Sequence, residues 1–143
     1  MYYVKKRLEI AGAHNLCLDY ESKCSNLHGH NWIITVYCKS NKLDNNGMVV
    51  DFAHIKKNIT DKFDHQYINN LPPFNKGINP TAENMAEFIC KTIPHCYKVD
   101  VQESEGNIAT YEKDEPEITE IQVAKLSKED LLDIINNADE DDE

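Results

Sequence analysis

Residues 24–38 read CSNLHGHNWIITVYC, and the interpretation of the whole chain starts from this stretch. Its second half is rich in β-branched and aromatic residues, which favours a strand over residues 31–38. One face of that strand carries Trp32, Ile34, Val36 and Cys38. His28 and His30 share the parity of this set, and side chains at i and i+2 point to the same side of a strand. Two imidazoles aimed at one point indicate a transition-metal site, and a pair of solvated surface histidines is the alternative.

A third imidazole lies at the end of the preceding predicted strand, Tyr3–His14, where His14 has the parity of Leu8 and Ile10. If the two strands pair antiparallel, their joined ends bring His14 next to the histidine pair. Three neutral histidines with one open position are the arrangement of a catalytic zinc site. A closed structural site needs a fourth protein ligand, and Cys24 is the candidate for it.

The remaining pattern predicts two helices and then two strands. Asp51 caps a first helix with the apolar stripe Phe52, Ile55, Ile59 and Phe63. After a loop over residues 72–80, Pro94 ends a second helix with the stripe Met85, Phe88, Ile89 and Ile93. Strands follow near residues 97–103 and 107–111. The order ββααββ predicts an α+β fold, with an antiparallel four-stranded sheet and two helices on one face.

The charge of the chain is concentrated in its last part. Residues 112–143 contain 13 acidic and 3 basic residues, whereas residues 1–111 contain 12 of each. A neutral first part without a basic stripe argues against a nucleic-acid binder and leaves room for a locally basic site. We therefore divide the 143 residues into a catalytic domain, 1–111, and an acidic extension, 112–143. In the extension, Ser127 is the expected N-cap of a short helix.

Cysteine usage and hydropathy indicate the compartment. No apolar run approaches the ~20 residues of a membrane span, and the start does not read as a signal peptide. The five cysteines are odd in number and lack disulfide spacing, which predicts a reducing cytoplasm. Four of them are expected to be core thiols: Cys17, Cys38, Cys90 and Cys96. Cys24 lies in a polar loop after Lys23, where cationic neighbours favour a thiolate that can act as a base.

Four more polar residues have both a structural and a functional interpretation. Asp64 and His65 follow the first helix, where a histidine that interacts with the helix dipole is the simpler interpretation. Thr81 opens the second helix as an N-cap. Glu103, near the end of the strand 97–103, is a surface carboxylate by default. In its functional interpretation it accepts two parallel N–H bonds from a guanidine-like ring edge.

Six blocks of the sequence have to be considered together. In chain order they are AGAH (11–14), CSNLHGHNW (24–32), GMVVDFAHIK (47–56), FDHQYIN (63–69), NPTAEN (79–84) and VQES (101–104). Together they resemble the 6-pyruvoyl-tetrahydropterin synthase family over roughly residues 3–111. The bacterial 6-carboxy-5,6,7,8-tetrahydropterin synthase branch, from the queuosine pathway, is the more similar one. Three residues separate Cys24 from His28, as in that branch, whereas animal pyruvoyl enzymes have a longer loop.

The resemblance implies a T-fold (tunnelling fold), whose subunits pair edge to edge into barrels. It further implies a homohexamer made of two trimers, with active sites between subunits. The implied zinc ligands are His14, His28 and His30. Cys24 would be the catalytic thiol, and Asp64 with His65 would form its proton relay. Glu103 would anchor the amino-pyrimidine edge of a pterin, with Thr81 assisting.

The resemblance also implies a lyase that cleaves carbon–oxygen and carbon–carbon bonds of 7,8-dihydroneopterin triphosphate, a small-molecule substrate. The carboxy branch releases acetaldehyde, while the pyruvoyl branch retains the side chain. A non-catalytic zinc-bound assembly module, with Cys24 as the fourth ligand, is the alternative from another class. Two segments depart from the family pattern. Residues 15–23 lack the arginine-bearing stretch often found there, and residues 112–143 extend beyond the usual end.

Overall fold

The computed structural model of the chain describes residues 1–114. Its two longest strands are β1 (Tyr2–His14) and β2 (His28–Ser40), each of 13 residues. They pair antiparallel along their whole length, from Tyr2 opposite Ser40 to His14 opposite His28. Because β2 begins at residue 28 and not at the predicted residue 31, both histidines of the His-Gly-His motif are strand residues.

Two α-helices and three further strands follow in the described part of the chain: α1 (Phe52–Phe63), β3 (Gln66–Tyr67), α2 (Ala82–Thr92), β4 (Cys96–Ser104) and β5 (Asn107–Glu112). The strands form one sheet in the order β3-β1-β2-β4-β5. The α+β class is confirmed, but the predicted count of four antiparallel strands is wrong. β3 is a fifth strand and pairs parallel with β1, and a strand of two residues is too short to show a period in the sequence.

One face of the sheet packs on both helices. Trp32, Ile34 and Val36 of β2 are fully buried, and they share a core cluster with apolar residues of both helices. The buried helix residues are Ile55, Ile59, Phe63, Met85, Ala86, Ile89 and Cys90. Each large side chain buried in this way contributes about 1.5–3 kcal/mol of hydrophobic free energy. The apolar face formed by every second residue of β2 thus packs against the apolar stripes of the two helices.

Both predicted helix caps are present. The carboxylate of Asp51 accepts a hydrogen bond from the Ala53 N–H at 2.8 Å, and the Thr81 hydroxyl accepts one from the Asn84 N–H at 3.1 Å. Phe52 does not belong to the buried stripe as predicted, since it is 47% exposed. It lies in the first turn of α1 and lines an open groove with Tyr2 and Met48.

Three thiols meet in the core. Cys38, Cys90 and Cys96 are buried as predicted, and the Cys96 and Cys90 sulfur atoms are 3.4 Å apart. Cys38 is the strand partner of Cys96 across β2 and β4. Cys17 was expected to join them but is exposed, because it lies in the loop after β1 where no layer covers it.

Two further sequence predictions concern the C-terminal helix and membrane spans. The helix expected after Ser127 lies outside the described residues. Within residues 1–114, neither helix has the length and hydropathy needed to cross a lipid bilayer. Residues 2–113 of the described part form one compact unit, which contains the whole sheet and both helices.

Candidate metal centre and active site

The register of β1 and β2 brings the three histidines together. His14 lies directly opposite His28, and Gly12 lies opposite His30. The ring centroids of His14 and His28 are 4.5 Å apart, those of His28 and His30 4.9 Å, and those of His14 and His30 5.2 Å. Period-2 alternation puts all three rings on the helix-facing side of the sheet. We call these three residues the histidine cluster.

Backbone carbonyl groups fix the tautomers of two rings in the cluster. His14 Nδ1 donates to the Pro80 carbonyl at 2.7 Å, and His28 Nδ1 donates to the Asn26 carbonyl at 2.7 Å. A neutral imidazole that donates through Nδ1 keeps its Nε2 lone pair free. Metal-binding histidines have this arrangement, since the outer hydrogen bond orients the ring and selects the ligating nitrogen.

The carboxylate of Glu103 completes the cluster. Its Oε1 lies 3.2 Å from Nε2 of His14 and 3.2 Å from Nε2 of His30. Despite this proximity, neither nitrogen has a hydrogen-bond partner of acceptable geometry within residues 1–114, and both are buried. For His14, whose Nδ1 donates to Pro80, the Nε2 lone pair faces a carboxylate oxygen, and the two repel unless a proton or a cation lies between them. All four ligand atoms lie within 4.8 Å of one another, so the group is able to hold a metal ion.

Local strand geometry explains the position of Glu103. The pairing of β4 with β5 has an irregularity between Gln102 and Ser104, and Glu103 is the residue within it. A bulge bends its strand and redirects the side chain at that point. Glu103 also has the parity of the buried residues Val99 and Val101, so it faces the helix side of the sheet.

Burial lowers the pKa of two cluster histidines. For His14, which is completely buried, desolvation is the largest cause, and the Pro80 hydrogen bond and Glu103 oppose it. For His30 desolvation is again the largest cause, opposed by the Glu103 charge. A lowered pKa favours the neutral imidazole near neutral pH, which is the form that binds metals.

The Trp32 ring packs against the histidine cluster. Its ring centroid lies 4.9 Å from that of His14 and 5.1 Å from that of His30. The indole N–H donates to the Gly12 carbonyl at 3.1 Å, so its polar atom is satisfied. Gly12 allows this close approach, because a Cβ atom there would lie 3.2 Å from the indole nitrogen and 3.0 Å from Ile68 Cδ1.

Cys24 lies in the loop that joins β1 to β2. It is the central residue of a 3₁₀ turn, Lys23–Ser25, and the Ser22 hydroxyl caps this turn by accepting from the Cys24 N–H at 3.1 Å. The thiol is exposed. Cys24 does not belong to the group of ligand atoms around the histidine cluster, where Glu103 takes the fourth place.

Asp64 and His65 form a pair at the edge of the sheet. Asp64 Oδ1 accepts from the Ala11 N–H at 2.9 Å, and the His65 N–H donates to the Ala11 carbonyl at 2.7 Å. The other Asp64 oxygen, Oδ2, is 3.1 Å from His65 Nδ1. His65 has a positive φ of 58°, and its side chain is 82% exposed. The two side chains are therefore in contact, and the imidazole is directed into solvent.

Cys24 is not among the residues that line the depression beside His65. This open depression of about 530 Å³ is lined by His30 of the histidine cluster and, among others, by Ala11, Ala13 and Asn31. Alternation along β1 and β2 places those three side chains on the sheet face opposite the histidine cluster. Among residues 1–114, no hydrogen bond or ion pair joins Cys24 to Asp64 or His65.

Thr81 links α2 to the cluster through the backbone. Its hydroxyl caps the helix, as the structural interpretation predicted, and the preceding residue, Pro80, supplies the carbonyl that binds His14. The backbone partners Pro80 and Asn26 have no sequence signature, because any residue type supplies a carbonyl group. Trp32 and Gly12 are further parts of the site that the sequence motifs did not predict.

A family model described as 6-pyruvoyl tetrahydropterin synthase matches residues 3–114. The chain belongs to this family. It is therefore an enzyme of the pterin synthase type, and the T-fold expected from the sequence is confirmed.

The curated proteins that are similar to this chain carry two different enzyme names. The 6-pyruvoyl tetrahydrobiopterin synthase of Dictyostelium discoideum is 33% identical over 98 residues, which cover 62% of this chain and 73% of the relative. The 6-carboxy-5,6,7,8-tetrahydropterin synthase of Bacillus subtilis is 25% identical over 123 residues, or 77% of this chain and 84% of the relative. The structure of Caenorhabditis elegans 6-pyruvoyl tetrahydropterin synthase superposes with a TM-score of 0.64 at 28% identity, covering 79% of this chain and 96% of that one.

Proposed function

We propose that this protein is a zinc-dependent 6-carboxy-5,6,7,8-tetrahydropterin synthase that acts in cytoplasmic queuosine biosynthesis. It converts 7,8-dihydroneopterin triphosphate and water to 6-carboxytetrahydropterin, acetaldehyde and triphosphate. The observation that carries the proposal is the histidine cluster, whose free ligand atoms converge beside Glu103 in a chain of this family. The name of the Bacillus relative and the three residues between Cys24 and His28 support this branch.

The donor set fits zinc. The buried Nε2 atoms of His14 and His30 have no hydrogen-bond partner within residues 1–114, and a bound cation would satisfy both lone pairs. His14, His28 and His30 would hold the ion as neutral ligands, which leaves a position for substrate. When bound, zinc supplies Lewis-acid polarisation of the substrate's side-chain hydroxyls.

The remaining chemistry belongs to residues of the chain. In this proposal the Cys24 thiolate takes a proton from a side-chain carbon of the substrate, and triphosphate leaves. The imidazole of His65, oriented through its contact with Asp64, transfers a second proton. Glu103 accepts the ring N–H and the amino N–H of the pterin and so fixes the ring. Thr81 assists binding from the N-terminus of α2.

We further propose that two copies of the chain complete each site, within a homohexamer of two trimers. Two observations support this proposal. Within residues 1–114 no hydrogen bond or ion pair joins Cys24 to the Asp64–His65 pair, although the proposed chemistry needs both. In addition, the outer edge of β1 pairs with β3 only at Gly12 and Ala13, so most of a long strand edge is open within residues 1–114. Edge-to-edge association would satisfy that backbone.

The decisive experiment is incubation with 7,8-dihydroneopterin triphosphate followed by mass spectrometry of the products. Acetaldehyde together with a carboxylated pterin is the expected result. A 6-pyruvoyl product would instead assign the second candidate function, 6-pyruvoyl-tetrahydropterin synthase, which the name of the Dictyostelium relative favours. Absence of any conversion by zinc-loaded protein would contradict both.

A Cys24→Ala variant separates an enzyme from a zinc-bound assembly module. We expect the variant to keep its zinc and its oligomeric state and to lose turnover, since Cys24 stands outside the ligand group. Cys17→Ala is the matched control, because this second exposed thiol in the same loop has no proposed chemical role. Loss of zinc from Cys24→Ala alone would favour the module with Cys24 as a structural ligand.

A further inference from the structure

Two asparagine side chains form hydrogen bonds with the backbone of the segment that follows His14. Asn69 Oδ1 accepts from the Asn15 N–H at 3.0 Å, and Asn69 Nδ2 donates to the Asn15 carbonyl at 2.8 Å. Asn79 repeats this arrangement at Cys17, with 2.8 Å for both its accepted and its donated hydrogen bond. Each amide thus satisfies both backbone groups of one residue, as a neighbouring strand would do.

Leu16, which lies between Asn15 and Cys17, contacts Cys24. The Leu16 N–H donates to the Cys24 carbonyl at 2.8 Å. Residues 15 and 17 are thus held by the two asparagines, and residue 16 between them is bonded to the Cys24 turn.

Both asparagines are anchored in regular structure. Asn69 lies in the 3₁₀ turn Ile68–Asn70, directly after β3. The Asn79 carbonyl accepts from Asn84 Nδ2 at 2.9 Å and from the Thr81 N–H at 2.9 Å, which ties it to the first turn of α2. On the Asn69 side, the Tyr67 hydroxyl donates to the Asn15 side chain. The loop is thus fixed between the sheet edge and a helix N-terminus.

We propose that Asn69 and Asn79 are positioning residues for Cys24, which they fix through Asn15, Cys17 and Leu16. This inference rests on the proposed function, since it assigns the asparagines to the placement of the catalytic thiol. Their amide groups make four hydrogen bonds to a segment that leads directly into the Cys24 turn. A thiol that transfers a proton must be held close to its carbon target, and a misplacement of 1 Å costs about 100-fold in rate.

The test compares Asn69→Ala and Asn79→Ala with a control, Asn75→Ala. Asn75 lies in the same connection as Asn79, and its exposed side chain makes no hydrogen bond within residues 1–114. Hydrogen–deuterium exchange of peptides over residues 15–24 should accelerate about five- to tenfold in both test variants, because the lost bonds stabilise the closed loop. The control should exchange at the wild-type rate.

Kinetics then separate positioning from loop stability alone. We expect kcat to fall about 10- to 100-fold in both test variants. KM and the zinc content should stay within about twofold of wild type, because the pterin and metal contacts remain. Asn69→Ala is the safer variant, since Asn79 precedes the Pro80 carbonyl that orients His14.

Unchanged exchange over residues 15–24 in both variants would overturn the inference. Accelerated exchange with unchanged kcat would overturn it too, because the loop would then be held without effect on the thiol. If the wild-type protein converts no pterin, the proposed function fails, and the assignment of the asparagines to a catalytic thiol fails with it. The exchange data in that case still report whether the two amides hold the loop.

Discussion

His14 and His28 face each other as the last pair of the β1–β2 ladder, and each donates its Nδ1 proton to a backbone carbonyl. The two carbonyls belong to Pro80, before α2, and Asn26, before β2. Hydrogen bonds to the backbone thus orient both imidazoles. A site with this preorganisation requires little rearrangement to accept an ion.

The first prediction concerns the ligand set. Replacing His28 with alanine should lower zinc affinity by more than 100-fold, because loss of a ligand costs more than the roughly 10- to 100-fold of an outer partner. His54→Ala, on the exposed side of α1, is the control and should keep wild-type affinity. Zinc content after equilibration with a competing chelator measures the difference. Equal zinc content in the two variants would remove His28 from the site.

Glu103→Gln tests the pterin anchor. The glutamine keeps the size but replaces one acceptor oxygen with a donor amide, which then faces a donor of the ring. Loss of a hydrogen bond to a charged group costs about 1.5–3 kcal/mol, or roughly 10- to 150-fold in binding. We expect KM to rise by that factor and zinc content to stay constant, since three histidines suffice as ligands.

Other outcomes of this substitution assign Glu103 differently. Its Oε1 atom is close enough to the histidine cluster to act as a ligand, and loss of zinc from Glu103→Gln would give it that role. Unchanged kinetics and unchanged zinc would make it a structural carboxylate. Glu105→Gln, at the exposed turn between β4 and β5, controls for the loss of charge.

Two glycines of the site provide a matched pair for stability. A Cβ at Gly12 would lie 3.0 Å from Ile68 Cδ1 and 3.2 Å from Trp32 Nε1, whereas the nearest atom at Gly29 is the Gly12 carbonyl oxygen at 3.6 Å. Gly12→Ala should destabilise the fold by about 1–3 kcal/mol through overpacking. Gly29→Ala should have no such cost. Urea unfolding at constant protein concentration measures both, and equal midpoints would contradict the prediction.

The Asp64 carboxylate contributes a pH-dependent stability. Its pKa is lowered from 3.8, chiefly because it accepts the Ala11 N–H and further because of His65. Folding therefore favours the ionised form. The resulting stabilisation is fully present above the ordinary aspartate pKa, and it is lost as the pH falls through the lowered pKa of the folded state. Asp64→Asn keeps an acceptor oxygen but cannot ionise.

Unfolding titrations from pH 7 down to pH 3 test this linkage. Wild type should exceed Asp64→Asn in stability by a constant margin at neutral pH, and the margin should shrink below about pH 4. Asp61→Asn, on the exposed face of α1, should show no such change with pH. A margin that grows on acidification would mean that folding raises the pKa of Asp64.

Regular patterns were predicted well from the sequence. Strand parity alone placed His28 and His30 with the core face of β2, and the caps Asp51 and Thr81 marked both helix starts. These features depend on side-chain type and spacing, which a sequence displays directly. The same logic failed for Phe52, because a helical stripe does not show which of its turns the sheet covers.

The contacts that orient the site were not predictable in this way. The Pro80 carbonyl, which holds His14, lies 66 positions away along the chain, and a backbone carbonyl has no sequence signature. The approach of Glu103 to the cluster depends on the register of β4 against β2, which the pattern of one strand does not reveal. The exposure of Cys17 likewise depends on how a loop passes over the surface, and not on residue type.

The buried trio of thiols has a practical consequence for chemical probes. Desolvation raises the pKa of Cys90 to about 12, so this thiol stays protonated under ordinary labelling conditions. Cys38 and Cys96 are equally shielded from reagents. A maleimide dye added to the folded protein therefore reports on Cys17 and Cys24 alone, and in a Cys17→Ser background it becomes a single fluorescent reporter in the loop between β1 and β2.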